Sequence, residues 1–149
     1  MHITSAPAAD QPAPAVFRWP VRVYYEDTDA GGVVYYANYL RFCERARTEW
    51  LRALGVAQQR LLSEQGIGFV VRAMEADYFV SARLDDELQV VSTIVGLRRA
   101  SLAFRQEVVR GDERLFAATI RVACVDLRRQ KPVSIPSSLH DLLKAQTPV

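Results

Sequence analysis

Residues Tyr24–Trp50 read YYEDTDAGGVVYYANYLRFCERARTEW, and both the main helix and the chemistry around its start are written in them. Three carboxylates, Glu26, Asp27 and Asp29, precede the pair Gly31-Gly32. The glycines free the backbone to turn sharply just before an amphipathic run. In that run Tyr39, Cys43, Ala46, Trp50 and Ala53 recur at spacings of four and three, with Arg41, Glu44, Arg45, Glu49 and Arg52 off the stripe. The pattern predicts one long helix ending at Gly55, with Asn38 as a candidate N-cap. A helix start exposes unpaired N–H groups and the positive end of the helix dipole. Both can hold an oxygen that becomes negative during acyl transfer, and both favour a nearby carboxylate. Asp29 sits just upstream, within reach of them.

Outward from this stretch the chain reads as strands. Phe17, Trp19, Val21, Val23 and Tyr25 alternate with polar positions before it, and Pro20 marks that strand as an edge or a bulge. After it, residues 69–80, 87–96, 101–110 and 115–127 are rich in Val, Ile, Phe or Thr, and Asp85-Asp86, Arg98-Arg99-Ala100 and Gly111-Asp112 separate them. In the last of these, Phe116, Ala118, Ile120, Val122 and Cys124 form one apolar face. A short helix over 137–144 follows Pro136. One long helix between a first strand and a four-strand antiparallel run is an α+β order.

The 149 residues, half of them hydrophobic, suit one domain with a packed core. A formal charge of +2 gives no case for nucleic acid, although Arg98-Arg99 and Arg128-Arg129 with Lys131 are local enough to bind a compact anion. Cys43 and Cys124 lie in apolar segments without metal-ligand spacing, so buried free thiols in a reducing compartment are expected, and neither a disulfide nor a metal site. The two histidines, His2 and His140, stand near the ends, which argues against Ser-His-Asp and Cys-His schemes. Residues 1–15 are rich in Ala and Pro and read as a flexible tail ahead of a domain at 16–146. No run approaches the roughly 18 apolar residues of a membrane span, and a cytoplasmic protein is expected.

The runs Tyr25-Glu26-Asp27-Thr28-Asp29-Ala30-Gly31-Gly32-Val33-Val34-Tyr35, Ala37-Asn38-Tyr39-Leu40, Glu44-Arg45-Ala46-Arg47, Phe69-Val70-Val71-Arg72 and Ala82-Arg83-Leu84-Asp85-Asp86 resemble the tol-pal-associated acyl-CoA thioesterases, a branch of the 4-hydroxybenzoyl-CoA thioesterase family. The resemblance spans about Arg18 to Leu127. It implies a hotdog fold, in which a curved antiparallel sheet wraps one central helix, with helical turns beginning near Tyr36. It also implies hydrolysis of an acyl-CoA thioester without a cofactor. Asp29 matches the family's catalytic carboxylate, as nucleophile or as general base for water, and the Tyr36 backbone N–H matches the group that polarises the carbonyl. Arg98 and Arg99 match a basic turn that contacts coenzyme A phosphates, a contact suited to guanidinium. Two copies are expected to join sheets edge to edge, with sites at the interface, as a homodimer or homotetramer.

Tyr36 departs from the pattern, because the tol-pal branch usually carries His there, while the hydroxybenzoyl-specific branch carries Tyr. The simpler reading of Glu44, Arg45 and Arg47 is pairing along the helix surface, and Glu26 and Asp27 read as charges that fix the turn. A noncatalytic hotdog that binds acyl-CoA or acyl carrier protein is the alternative function. A hotdog dehydratase is disfavoured, since no histidine stands between His2 and His140.

Overall fold

The computed structural model describes residues 15–147. Strand β1 (Phe17–Arg22) leads through one 3-10 turn (Tyr25–Asp27) to helices α1 (Asn38–Ala53) and α2 (Gln58–Gln65). Strands β2 (Ile67–Tyr78), β3 (Glu87–Leu97), β4 (Ser101–Arg110), β5 (Glu113–Asp126) and β6 (Lys131–Pro132) follow, then helix α3 (Ser137–Gln146). The strands form one antiparallel sheet in the order β1-β3-β4-β5-β2, with β6 paired to the end of β5. The α+β expectation holds. The tail expected over 1–15 lies outside the described residues except for Ala15, which packs against the core.

The core is the seam between α1 and one face of the sheet. Tyr39, Phe42, Cys43, Ala46, Trp50 and Leu51 of α1 are buried against Val90 and Ile94 of β3, Phe104 and Val108 of β4, and the predicted apolar face of β5. Period 3.6 meets period 2 here, and burying both apolar faces is what drives the helix into the sheet. Cys43 and Cys124 are buried free thiols, pushed by burial up to about 12 and about 11.

Three local readings are corrected. The first strand stops at Arg22, because the Asp27 carboxylate accepts the Tyr24 N–H at 2.8 Å and draws Tyr25 into the turn. Asn38 is the first helical residue and not the N-cap; Ala37 precedes it with no side-chain cap bond, and the Asn38 side chain bonds Asp27 instead. Ala53 is exposed, so the buried stripe ends at Leu51. Helix α2 was not foreseen, since none of its residues is buried.

The sheet has two edges. Pro20 lies on β1, one of them, where its missing N–H breaks no ladder. The other is β2, whose outer side has no partner strand among the described residues and which exposes Val71, Met74 and Tyr78. Among the described residues no helix is long and apolar enough to cross a membrane.

Candidate active site

The acid loop is fastened by Asp27, which is only 8 % exposed. Its carboxylate takes the Tyr24 N–H, and its carbonyl takes the Tyr35 N–H at 2.9 Å and the Asn38 amide at 3.1 Å. The expectation that Asp27 fixes the turn is met. Residues 28–34 then fold back on themselves through bridges Thr28–Val34 and Val33–Arg83, with the Asp29 N–H on the Val33 carbonyl at 2.9 Å. Gly32 makes the return with φ +80°, a conformation that side chains resist.

Asp29 is exposed at the head of this return. One carboxylate oxygen accepts the Gly31 N–H at 2.8 Å, which aims the side chain, while the other oxygen meets no donor among the described residues. Asp29 and Tyr36 line one cleft of about 310 Å³, together with Tyr39, Tyr78, Phe79 and Val80. The structure thus brings these two sequence candidates to the same wall, at the start of α1.

The peptide linking Tyr35 to Tyr36 has a particular state. Its carbonyl accepts the Asn38 N–H at 2.8 Å, whereas its N–H, that of Tyr36, meets no acceptor among the described residues. A carbonyl already engaged makes the N–H of its own peptide a better donor. The Tyr36 ring is mostly exposed and stands edge-on to Tyr78 at 6.4 Å. Behind them Tyr39 and Phe116 stack at 5.1 Å, giving the cleft an aromatic floor.

Arg98 and Arg99 do not join Asp29 within one chain. They are exposed in the β3–β4 turn, at the opposite end of β3 from Glu87, while the acid loop packs against Ala82 and Arg83 just before Glu87. Eleven residues at about 3.3 Å each put the two ends on the order of 33 Å apart. Arg128, Arg129 and Lys131 are also exposed, and Arg129 is bound to Asp126 at 3.0 Å.

Reading Arg47 as a surface ion pair is wrong. The side chain turns inward, 9 % exposed, and donates to Gln106 Oε1 at 2.8 Å. Gln106 in turn donates to the Cys43 carbonyl at 3.0 Å and to Ser92 Oγ at 2.9 Å. The guanidinium, held by burial below its ordinary value, borders a cavity of about 260 Å³ between α1 and the sheet. Phe69, Leu102, Phe104 and Val122 form its apolar walls, and Glu44 lies at its rim. The spacing of Arg47 from Glu44 suggested a surface pair. Only its place between the stripe residues Cys43 and Trp50 could have warned otherwise.

The sequence model of the thioesterase-like superfamily matches residues 23–143. An acyl-CoA thioesterase, YbgC, of Haemophilus influenzae is 53% identical over 123 residues, covering 83% of this chain and 90% of that protein. An acyl-CoA thioester hydrolase, YbgC, of Escherichia coli O6:H1 is 50% identical over 125 residues, covering 83% and 92%. The crystal structure of a probable thioesterase from Bartonella henselae, 35% identical, superposes with a TM-score of 0.78 over 82% of this chain and 100% of that one.

Proposed function

The chain belongs to the thioesterase-like superfamily, and from that premise we propose that it hydrolyses acyl-CoA thioesters with Asp29 as its working carboxylate. The fold is the hotdog, and the reaction is that of an acyl-CoA thioester hydrolase, in keeping with its relatives. The observation that carries the assignment of residues is the shared cleft at the positive end of α1, where, among the described residues, one Asp29 carboxylate oxygen meets no donor and the Tyr36 N–H meets no acceptor.

In the reaction the Tyr36 N–H holds the thioester carbonyl oxygen as it gains charge. Asp29 either attacks the carbonyl carbon, expelling the CoA thiolate and leaving an anhydride that water opens, or takes a proton from the water that attacks. Both routes yield the free acid and coenzyme A. Neither asks the Tyr36 side chain for a proton, so Tyr in place of the branch's His is compatible with the chemistry.

A second copy completes the site. Ile67 pairs with Asp126 and Ser101 with Ala123, so the Arg98-Arg99 turn lies toward the Ile67 end of β2, whereas Tyr78, at its other end, lines the acid cleft. Antiparallel pairing of the open β2 edges about a two-fold axis brings the basic turn of one copy toward the cleft of the other. Arg98 and Arg99 then hold CoA phosphates across the interface. The cavity beside Phe69 and Val71 lies on this same edge, with room for the acyl group. The assembly is a homodimer or a pair of such dimers. The unbroken acid-loop motif supports membership of the tol-pal-associated branch, and a CoA ester substrate suits a cytoplasmic location.

The test is release of coenzyme A from a panel of aliphatic and aromatic acyl-CoA esters by wild-type protein and by Asp29→Asn. Turnover that is lost in the variant supports the proposal. Acyl-CoA binding without wild-type turnover replaces it with the noncatalytic reading.

A further inference from the structure

The Tyr36 residue carries two peptide groups, and the structure holds both. The preceding one is fixed through the Tyr35 carbonyl by the Asn38 N–H at 2.8 Å. The following one has its carbonyl outside the α1 ladder, because the Leu40 N–H goes to Ala37 at 3.1 Å. Its partner comes from 42 residues away: the Tyr78 hydroxyl donates to the Tyr36 carbonyl at 2.8 Å.

We propose that Tyr78 is a positioning residue for the reaction, its hydroxyl clamping the Tyr36 carbonyl so that the Tyr36 N–H is aimed at the thioester oxygen before the substrate arrives. The inference rests on the hydrolase reading and extends it to a residue that reaches the reacting atoms only through another. The clamp is itself well braced. The Tyr78 ring packs edge-to-face on Tyr39 at 5.5 Å and on Phe116 at 4.9 Å, and Tyr39 is tied by its hydroxyl to the Ala82 N–H at 3.0 Å. Burial raises the Tyr78 phenol above its ordinary value, which keeps the proton in place across the neutral range. A donor fixed in advance needs no reorganisation when charge develops, and a loose one does.

Tyr78 is also the last residue of β2, the open edge. The clamp therefore ties the helix start to the strand on which a second copy would pair.

Tyr78→Phe removes the hydroxyl and keeps the ring packing, so the fold is retained and the effect falls on geometry. The expected result is a fall in kcat of about three- to ten-fold at unchanged KM, the size of one neutral hydrogen bond. A spectroscopic readout separates aim from stability: the infrared carbonyl stretch of the panel's fastest ester, 13C-labelled and bound to Asp29→Asn, shifts toward its free value when Tyr78→Phe is added. An unchanged kcat and stretch overturn the proposal, and so does a loss of activity that follows only the melting temperature. If the wild-type protein turns over no ester, the hydrolase reading fails first, and the two failures are distinct.

Discussion

The Asn38 side chain reaches back from the first residue of α1 to the Asp27 carbonyl at 3.1 Å and to its carboxylate at 3.4 Å, both residues being 8 % exposed. An amide that a surface helix would use as a cap serves here as a buried strut between helix and acid loop. The Asp29 and Tyr36 positions are set by what that strut holds.

Asn38→Ala should therefore cost about 1 to 2 kcal/mol in denaturant unfolding, the range for leaving a buried polar group short of a partner. It should also lower turnover beyond what lost stability explains, because the loop that presents Asp29 loosens. A variant as stable and as active as wild type contradicts this.

Arg47→Met should destabilise by about 1 to 3 kcal/mol, since Gln106 Oε1 loses its donor in a fully buried place. Relief from burying a guanidinium offsets part of the loss. Adding Gln106→Leu should cost less than the sum of the single changes, a coupling that a double-mutant cycle in urea reads directly.

Asp86 accepts the Arg83 N–H at 2.8 Å and pairs with Arg110 at 2.7 Å. Burial pushes its carboxyl up, but these contacts together outweigh that and hold it below the usual value. A lowered folded value gives stability that is present above the unfolded value of about 3.9 and is lost as pH falls through the folded one. Asp86→Asn should cost about 1 to 2 kcal/mol at neutral pH. The gap from wild type should close progressively below about pH 4 in acid-unfolding curves.

Ellman's reagent should find no rapidly reacting thiol in the folded protein at pH 8 and both after denaturation. With Cys43 at about 12, its thiolate is about one part in ten thousand at that pH, and both thiols are buried. A fast stoichiometric reaction of native protein would disprove it.

The helix and the strands were legible because Tyr39-Cys43-Ala46-Trp50 and Phe116-Ala118-Ile120-Val122-Cys124 carry clean periods, and a period survives in sequence. Helix α2 was not, since QQRLLSEQ buries no residue fully and sets only the half-buried Leu61 against the core, too little to leave a period. Asp29, Tyr36 and Asp27 could be singled out as candidates because they sit within a dozen residues around the helix start; the fold sets Asp29 and Tyr36 on one cleft, and their roles in the reaction remain the proposal. Arg47 with Gln106 and Tyr78 with Tyr36 are separated by 59 and 42 residues, and partnerships of that kind exist only after the sheet has closed on α1.

Phe17 stacks on Trp50 at 5.7 Å and lies 6.4 Å from Trp19, so the chain's two tryptophans share one cluster where β1 meets the far end of α1. Twelve residues of helix, about 18 Å at 1.5 Å each, separate Trp50 from Asn38 at the acid cleft. The cleft itself is furnished with tyrosines. Intrinsic tryptophan emission is thus a gauge of whether β1 is docked on the helix.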